Sequence, residues 1–223
     1  MQTTKTHVSK ATINRIPLYY RAVRQLQQEG IRRIRSHRLS EIIHIPSATI
    51  RRDFSSFGEM GKSGYGYSIE TLVKAFGQLL DVDSAEAMIL VGVGGLGAAL
   101  MQNNFRRNPD LNIVMAFDSD PTKVGRPVGG IPVYAFATLA AHLESTIHTA
   151  IVAVPSSAQT AVINQLEAAG ISAILTFAPQ PVACRPETTI RYIDLTSELQ
   201  SLLYTAHQKQ HATKMTLPRQ KAR

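Results

Sequence analysis

Hydrophobic residues recur at helical spacing in the N-terminal part of the chain and predict three short helices. The first covers residues 13–28, and Gly30 marks its end. The second covers residues 39–43, and the third begins at Pro46 with Ser47 as the candidate N-cap. The apolar positions that define the first and third helices are Ile16, Tyr19, Tyr20, Val23 and Leu26, then Ile50, Phe54 and Phe57.

Glycine and tyrosine dominate the next stretch. Residues 58–68 predict a narrow hairpin, and residues 68–80 predict an amphipathic helix that leads to a second module. Three helices followed by a glycine-rich hairpin are typical of a winged-helix DNA-binding domain, which we place at residues 1–80. The alternative is that the glycine-rich stretch is only a linker.

Short apolar runs alternate with helical segments in the rest of the chain. This alternation predicts an α/β fold, a Rossmann-type doubly wound parallel sheet over residues 81–193. A last amphipathic helix over residues 194–208 is expected to pack on a second copy or back on its own sheet, and the basic residues 209–223 are expected to be disordered. Besides the run that begins at Met88, the apolar runs cover residues 113–117, 149–154, 173–177 and 190–193.

A glycine-rich turn follows the apolar run that begins at Met88. In a dinucleotide-binding turn, Gly92 permits the tight bend, Gly94 lets a pyrophosphate approach the backbone, and Gly97 lets helix and strand pack closely. Such a motif alone is weak, because many matches are plain strand-to-helix corners. The predicted cofactor-binding residues of the turn are Gly92, Val93, Gly94, Gly95, Leu96 and Gly97.

Asp118 strengthens the prediction of a dinucleotide site. It ends the next apolar run, 21 residues after Gly97, where a carboxylate that binds ribose hydroxyls is expected, and it favours NAD(H) over NADP. The alternative is a solvated turn carboxylate or a helix cap. Further along the chain, the ends of two predicted strands are expected to frame the nicotinamide with Val154, Pro155, Phe177 and Pro179.

The net charge of +8 is unevenly distributed. Residues 1–66 hold 12 Lys and Arg against 4 Asp and Glu, whereas residues 67–204 hold 7 against 12, and the remaining tail holds 5 basic residues and no acidic ones. A basic module joined to an acidic one indicates that the first module meets a polyanion, with nucleic acid favoured over a membrane. A chance asymmetry of solvated charges is the alternative.

The third helix and the hairpin carry the candidate DNA contacts. On the helix, polar and basic side chains alternate with the apolar positions and suit base edges and phosphates in a major groove. The hairpin places a lysine and a tyrosine where a minor groove could receive them. The candidates are Ser47, Thr49, Arg51, Arg52 and Ser55 on the helix, and Lys62, Gly64 and Tyr65 on the hairpin.

These residues resemble the Rex family of redox-sensing transcriptional repressors over almost the whole chain. The resemblance implies a homodimer with a domain-swapped C-terminal helix, bound to palindromic operator DNA, which NADH releases and NAD⁺ permits. It also implies that Arg21 pairs with Asp194 in the DNA-bound form. The motifs that carry it are residues 17–21 (PLYYR), 47–54 (SATIRRDF), 61–67 (GKSGYGY), 92–97 (GVGGLG), 117–118 (FD) and 194–195 (DL).

One position departs from the family pattern. Where similar chains place a tyrosine in a pattern like HYNF, this chain has Asn103 in the sequence QNNF. The resemblance implies that this tyrosine responds to the redox state of the nicotinamide. We therefore expect a weaker or altered difference between NADH and NAD⁺.

Two other classes of function compete with a redox-sensing repressor. An NAD-dependent oxidoreductase or a CoA-ligase-like protein would use the same turn, but the sequence offers no second domain for a substrate, no evident catalytic residues and no metal ligands. A non-specific nucleoid-type binder would show only a steep salt dependence. We expect a cytoplasmic protein, because no signal peptide and no apolar run of about 20 residues is evident.

Overall fold

The structure is a computed structural model that describes residues 8–58, 61–62, 65–80, 86–103 and 111–216. It divides into two compact units, residues 1–84 and residues 85–223. Within the described residues no helix is both long enough and apolar enough to cross a bilayer.

The described residues of the N-terminal unit form four helices and a small antiparallel sheet. The sheet order is β1-β3-β2, so that the hairpin pairs with a short strand that the sequence did not predict. The first two helices begin earlier than expected, at Lys10 and Ser36. In chain order the elements are α1 (Lys10–Gln28), β1 (Arg33–Ile34), α2 (Ser36–Ile43), α3 (Ser47–Ser55), β2 (Gly61–Lys62), β3 (Gly66–Ser68) and α4 (Ile69–Leu80).

An aromatic cluster forms the centre of this unit. Phe54 of α3 packs edge-on against Tyr19 of α1 and Tyr67 of β3, with ring centroids 5.1 and 4.8 Å apart. Phe76 of α4 stacks on Tyr19. Because Phe54 is fully buried among these rings, the apolar face of α3 is fixed and its opposite face is left to solvent.

The turn between α2 and α3 is tight. His44 has a φ of 55°, a left-handed conformation that side chains other than glycine rarely adopt. Pro46 then occupies the N-cap position, and Ser47 is the first residue of α3, so the prediction of Ser47 as the N-cap was wrong. The backbone of Pro46 is still extended, with a ψ of 135°, and its carbonyl oxygen accepts the first bond of the helix from the N–H of Ile50 at 3.1 Å.

In the second unit, the part of the chain that the structure describes forms a six-stranded parallel sheet in the order β6-β5-β4-β7-β8-β9, with helices in the connections. This is the predicted doubly wound α/β fold. Its strands are β4 (Glu86–Val91), β5 (Leu111–Asp118), β6 (Val133–Ala135), β7 (Thr149–Val152), β8 (Ala173–Thr176) and β9 (Thr189–Tyr192). Its helices are α5 (Gly95–Asn103), α6 (Leu139–His142), α7 (Ser156–Ala168) and α8 (Leu195–Thr216), and a 3-10 turn covers Phe136–Thr138.

Both faces of this sheet are covered. Along β4, Ile89 and Val91 belong to one buried cluster, and Met88 and Leu90 belong to another. Successive side chains of a strand point to opposite faces, so each cluster lies on its own side of the sheet. The order of strands places the carboxyl ends of β4 and β7 side by side at the centre of the sheet, the edge at which a fold of this type binds its ligand.

The C-terminal helix α8 is longer than the sequence predicted. It continues to Thr216, so residues 209–216, expected in the disordered tail, are helical. The stretch contains no glycine or proline before Pro218, and alanine, lysine and methionine favour a helix. The rest of the predicted tail, residues 217–223, lies outside the described residues.

Candidate functional site

The glycine-rich turn connects β4 to α5 at the centre of the sheet. Gly92 has a φ of +98°, and a Cβ there would lie 2.6 Å from the carbonyl oxygen of Ala153, so only glycine fits. A Cβ at Gly97 would collide with the carbonyl oxygen of Gly92. Two of the three motif glycines are therefore required by the packing of the turn itself.

Gly94 and Gly95 have a different environment. Apart from the chain neighbours and the backbone of the same helix, no heavy atom of the described residues lies within 4 Å of a Cβ built at either residue, so the space beside this backbone is open. α5 begins at Gly95, and the first N–H groups of a helix have no partner within the helix. Open space next to free N–H groups at the positive end of a helix suits a pyrophosphate, and the turn therefore fits the predicted dinucleotide.

Asp118 lies at the end of β5, as its spacing predicted, and its side chain is only 8% exposed. Its carboxylate accepts hydrogen bonds from the backbone N–H groups of Val93, at 2.7 Å, and Asp120, at 2.8 Å. The ammonium group of Lys123 donates a third bond at 3.2 Å. Asp118 therefore fixes the glycine-rich turn from inside the protein.

These bonds change the acidity of Asp118. Burial by itself would raise its pKa, but the N–H groups of Asp120 and Val93 and the ammonium of Lys123 outweigh burial and hold the pKa below its ordinary value. The group therefore remains ionised at neutral pH. The structure places Asp118 beside the turn, and its contact with a ribose stays a prediction.

The residues expected to frame a nicotinamide lie at the same edge of the sheet. Val154 and Pro155 follow β7, where Pro155 is the N-cap of α7. Phe177 and Pro179 follow β8, and the N–H of Phe177 donates to the carbonyl oxygen of Val152 at 3.2 Å. Val154 and Phe177 are partly buried and Pro179 is exposed, so the edge presents an apolar border.

Gln159 was missed by the sequence analysis. It is fully buried on α7, and its Nε2 donates to the carbonyl oxygen of Gln180 at 3.1 Å, which ties the loop after β8 to the helix. Its Oε1 is buried without a hydrogen-bond partner among the described residues. The alanine-rich sequence around Gln159 does not indicate that a polar residue is buried at this position, because the burial depends on the fold.

The candidate DNA contacts on α3 lie on the side opposite the core. Arg51, Arg52 and Ser55 are exposed, whereas Ser47 and Thr49 are partly exposed. The hydroxyl of Ser55 donates to the carbonyl oxygen of Arg51 at 2.8 Å. Exposed arginines on the second helix of a helix-turn-helix are positioned to enter a major groove.

The described strands of the predicted hairpin, β2 and β3, pair antiparallel, as expected of a wing. Lys62 of β2 pairs with Gly66 of β3, and Tyr65 next to this pair is 73% exposed. A Cβ at Gly66 would lie 2.7 Å from the carbonyl oxygen of Ile34, which explains the glycine where the hairpin meets β1. The predicted contact Gly64 lies outside the described residues.

A buried ion pair behind α3 was also missed. Asp53, on the core side of the helix, accepts two hydrogen bonds from Arg15 and one each from Tyr19, at 2.5 Å, and Thr12, at 3.0 Å. The residues that contact Asp53 are 34–41 positions away in the sequence. No local pattern could reveal this network, which joins α1 to α3.

The three residues predicted to operate a switch lie on or next to three different helices. Arg21 is exposed on α1, and Asp194 caps α8 by accepting from the N–H groups of Thr196 and Ser197. Asn103 ends α5, where its Nδ2 donates to the carbonyl oxygen of Ala99 at 2.9 Å. Arg21 and Asp194 belong to different units, and their pairing stays a prediction.

Two family models match the chain in the same order as the two units. The model described as "Putative DNA-binding protein N-terminus" matches residues 7–55. The model described as "CoA binding domain" matches residues 83–180. The chain therefore belongs to the class of proteins that join a DNA-binding helical unit to a nucleotide-binding parallel sheet.

Similar proteins narrow this class to one family. The redox-sensing transcriptional repressor Rex of Latilactobacillus sakei subsp. sakei (strain 23K) is 47% identical over 204 residues, which cover 91% of this chain and 98% of that protein. The crystal structure of RSP in complex with beta-NAD⁺ and operator DNA matches with a TM-score of 0.81 at 28% identity, covering 95% of this chain and 98% of that one. The complex of RSP with beta-NADH gives 0.80 at 26%, covering 95% and 100%. The chain belongs to the Rex family of redox-sensing transcriptional repressors, as the sequence motifs predicted.

Proposed function

We propose that the protein is a transcriptional repressor that senses the NADH/NAD⁺ ratio, binds palindromic operator DNA as a homodimer and leaves it when NADH binds. The observation that carries this proposal is the glycine-rich turn, whose open backbone at Gly94 and Gly95 fits a dinucleotide, in one chain with a winged helix that exposes basic residues. Relatives of the same family, solved with beta-NAD⁺, beta-NADH and operator DNA, support it.

DNA is bound by α3 and the hairpin. Arg51 and Arg52 enter the major groove with Thr49 and Ser55 beside them, and Lys62 reaches the minor groove. Both arginines are exposed on the face of α3 that the aromatic core leaves free. Two copies of this surface, related by a two-fold axis, read the two halves of a palindrome.

The cofactor is held at the carboxyl edge of the parallel sheet. The N–H groups at the start of α5 bind the pyrophosphate, and Val154 and Phe177 border the nicotinamide. NADH, when bound, supplies an uncharged reduced ring where NAD⁺ carries a positive charge. Because these side chains are apolar and partly buried, the edge favours the neutral ring over a cation that would have to be desolvated.

The switch rests on two arrangements of the dimer. A ligand shifts such an equilibrium only by its difference in affinity for the two states. NADH must therefore bind more tightly to the arrangement in which the spacing of the two winged helices does not match the two half-sites of the operator. Pairing of Arg21 with Asp194 stabilises the DNA-bound arrangement. Asn103 has a short side chain whose amide is bonded to Ala99, and it therefore weakens the dependence of DNA release on the redox state of the nicotinamide ring.

The exposed face of α8 supplies the dimer contact. Leu195, Leu199, Leu202 and Leu203 share one face of the helix and are each more than half exposed, at 55–64%. An apolar stripe of this size on a soluble monomer indicates an interaction surface. A second copy that receives the helix covers the stripe.

The protein acts by binding and catalyses no reaction. The repressors of its family act on DNA, and the compartment that holds both DNA and NAD(H) is the cytoplasm. An oxidoreductase is the second candidate class, and turnover of NADH with a small carbonyl substrate would establish it.

The experiment that tests the proposal is selection of bound sequences from a pool of duplex DNA by the full-length protein at fixed salt. The selected site is then titrated with NADH, NAD⁺ and coenzyme A. We expect a palindromic site that NADH releases and NAD⁺ does not. If no sequence is enriched, or if all three ligands leave binding unchanged, the proposal fails.

A further inference from the structure

The β8–β9 loop, residues 177–188, begins at the carboxyl edge of the sheet and leads into the strand that precedes α8. All of its residues are described, and they form neither helix nor strand. Phe177 and Pro179, two of the residues expected to border the nicotinamide, lie at its beginning. Because no ladder of backbone bonds holds this loop, its position depends on the individual contacts that it makes.

The first of these contacts is made by Gln159 of α7. Its side chain is fully buried, and its Nε2 donates to the carbonyl oxygen of Gln180 at 3.1 Å. Its Oε1 is buried without a partner among the described residues, so loss of the bond to Gln180 would leave the whole amide unpaired. A buried polar group without a hydrogen bond is costly. Gln159 therefore holds the start of the loop against α7.

The segment around Gln180 is stiff. Pro179 and Pro181 stand on either side of it, and the ring of each proline fixes its own φ. A proline also restricts the residue before it to extended conformations, and this applies here to Ala178 and Gln180. Residues 178–181 therefore bend little, and a displacement at one end of the segment is passed to the other end.

The second contact lies just beyond this stiff segment. The N–H of Val182 donates to the hydroxyl oxygen of Tyr192 at 2.9 Å. Tyr192 ends β9, and the N–H of the following Ile193 donates to the carbonyl oxygen of Thr176 at 2.8 Å. Asp194 then caps α8. The hydroxyl of Tyr192 thus joins the loop to the strand that leads directly into the dimer helix.

The last part of the loop is held to α7 separately. The carboxylate of Glu167, in the last turn of α7, accepts from the N–H of Arg185 at 2.8 Å. The backbone carbonyl oxygen of Glu167 accepts from the guanidinium of Arg185 at 3.2 Å. Because this end is fixed, a displacement that begins at Phe177 acts on Tyr192 before it reaches the end of the loop. Coupling between distant sites travels through such chains of hydrogen bonds and stiff segments.

We infer that Gln159 and Tyr192 are positioning residues of the cofactor switch. Gln159 sets the position of the stiff segment that borders the nicotinamide, and Tyr192 passes the displacement of that segment to the start of α8. This inference rests on the proposed function, since it names the contacts through which the nicotinamide edge acts on the dimer helix.

The test measures two quantities on the full-length protein. The affinity for NADH without DNA comes from the fluorescence of the reduced nicotinamide. The second quantity is the coupling factor, the ratio of the dissociation constants for the selected operator at saturating NADH and without NADH. Anisotropy of a labelled operator duplex gives both constants.

Two variants remove one contact each. Gln159→Met keeps the length of the side chain and removes the amide, and Tyr192→Phe removes only the hydroxyl. Gln165→Met is the control for the first, because Gln165 is exposed on the same helix. Tyr134→Phe is the control for the second, because Tyr134 is also partly buried and lies on β6, at the other end of the sheet.

We expect Gln159→Met to weaken NADH binding about fivefold, because the border of the nicotinamide is no longer held. Tyr192→Phe should leave the NADH affinity unchanged and lower the coupling factor about fivefold. Gln159→Met should lower the coupling factor as well, and the double variant should match the lower of the two single variants. Two unrelated structural defects would instead multiply. Both controls should behave as the wild type does.

Three results would overturn the inference while the proposed function stands. They are a wild-type coupling factor in Tyr192→Phe, wild-type NADH binding in Gln159→Met, and effects on the coupling factor that multiply in the double variant. Failure of NADH to release the wild-type protein from the selected operator would instead overturn the proposed function, and this inference with it.

Discussion

Arg15 and Asp53 form a bidentate ion pair that joins α1 to α3, with Nε 2.6 Å from Oδ2 and Nη2 2.8 Å from Oδ1. The side chain of Asp53 is 3% exposed, whereas that of Arg15 is 28% exposed. Burial alone would raise the pKa of Asp53, but bonds from Arg15, Tyr19 and Thr12 keep the pKa below its ordinary value. The pair fixes the rotation of α3 and hence the direction in which Arg51 and Arg52 face.

Asp53→Asn is therefore expected to lower the free energy of unfolding by about 2 kcal/mol, because Arg15 loses its charged partner. Arg15→Lys keeps the charge but loses the paired geometry, and it should weaken operator binding with a smaller loss of stability. Urea denaturation and DNA titration at several salt concentrations measure the two effects. Arg38→Lys, which alters an exposed pair with Glu41, is the control.

The salt dependence distinguishes positioning from direct contact. A residue that only positions α3 lowers DNA affinity without changing the slope of log affinity against log salt concentration. A residue that contacts a phosphate reduces the magnitude of that slope by about one when it is removed. A reduced slope in Arg15→Lys would contradict the positioning role.

The same pair predicts a dependence of stability on pH. Since the pKa of Asp53 in the folded protein lies below its ordinary value of 3.8, its contribution is present above that value and is lost as pH falls through the folded pKa. The free energy of unfolding of the wild type should therefore fall more steeply below about pH 5 than that of Asp53→Asn. The pKa of Asp118 is also lowered, but Asp118 is present in both proteins and therefore does not account for a difference between their curves. Parallel curves for the two proteins would contradict the assignment.

The sequence predicted the elements that follow from local patterns. Apolar spacing located α1 to α4 and the start of α8, and the glycine-rich turn lies where its motif predicted, with Gly92 and Gly97 at positions that fit only glycine. The family motifs identified the family correctly. Each of these signals lies within a short stretch of chain.

What the sequence did not predict depends on residues far apart. The strand β1 is two residues long and is defined by its pairing with β3. Arg15, which pairs with Asp53, is 38 residues away from it in the sequence. The burial of Asp118 arises from the close approach of Val93 on another strand end. Spacing located Asp118 correctly, but only the three-dimensional contact shows that its oxygens are occupied.

Removal of a basic side chain from the recognition helix should weaken operator binding. Arg52→Ala is expected to lower specific affinity by about tenfold or more, with little effect on stability because the side chain is exposed. Lys74→Ala, an exposed substitution on α4, is the control. Competition between specific and random duplex DNA measures the result. Equal losses for the two duplexes would assign Arg52 to phosphate contact and not to base recognition.

Asn103 offers a gain-of-function prediction. Its amide is bonded to its own helix at Ala99, and a tyrosine is too long to be held in that way. Asn103→Tyr should increase the difference between NADH and NAD⁺ in releasing operator DNA. Gln102→Tyr, at the adjacent exposed position, controls for the addition of an aromatic ring. If Asn103→Tyr responds to both nucleotides as the wild type does, the role assigned to this position is wrong.

The apolar stripe on α8 should hold the dimer together. Leu199 and Leu203 are 58% and 55% exposed and lie one helical turn apart on the same face. Leu199→Glu combined with Leu203→Glu places charges in the contact and is expected to yield a monomer in light scattering, with an unchanged helical signal in circular dichroism. Gln200→Glu, on the same helix outside the leucine stripe, should remain dimeric.

The monomer should also lose most of its affinity for a palindromic site, because it binds one half-site at a time and gains no affinity from the second half-site. A double variant that remains dimeric and binds operator normally would exclude this face of α8 as the dimer contact.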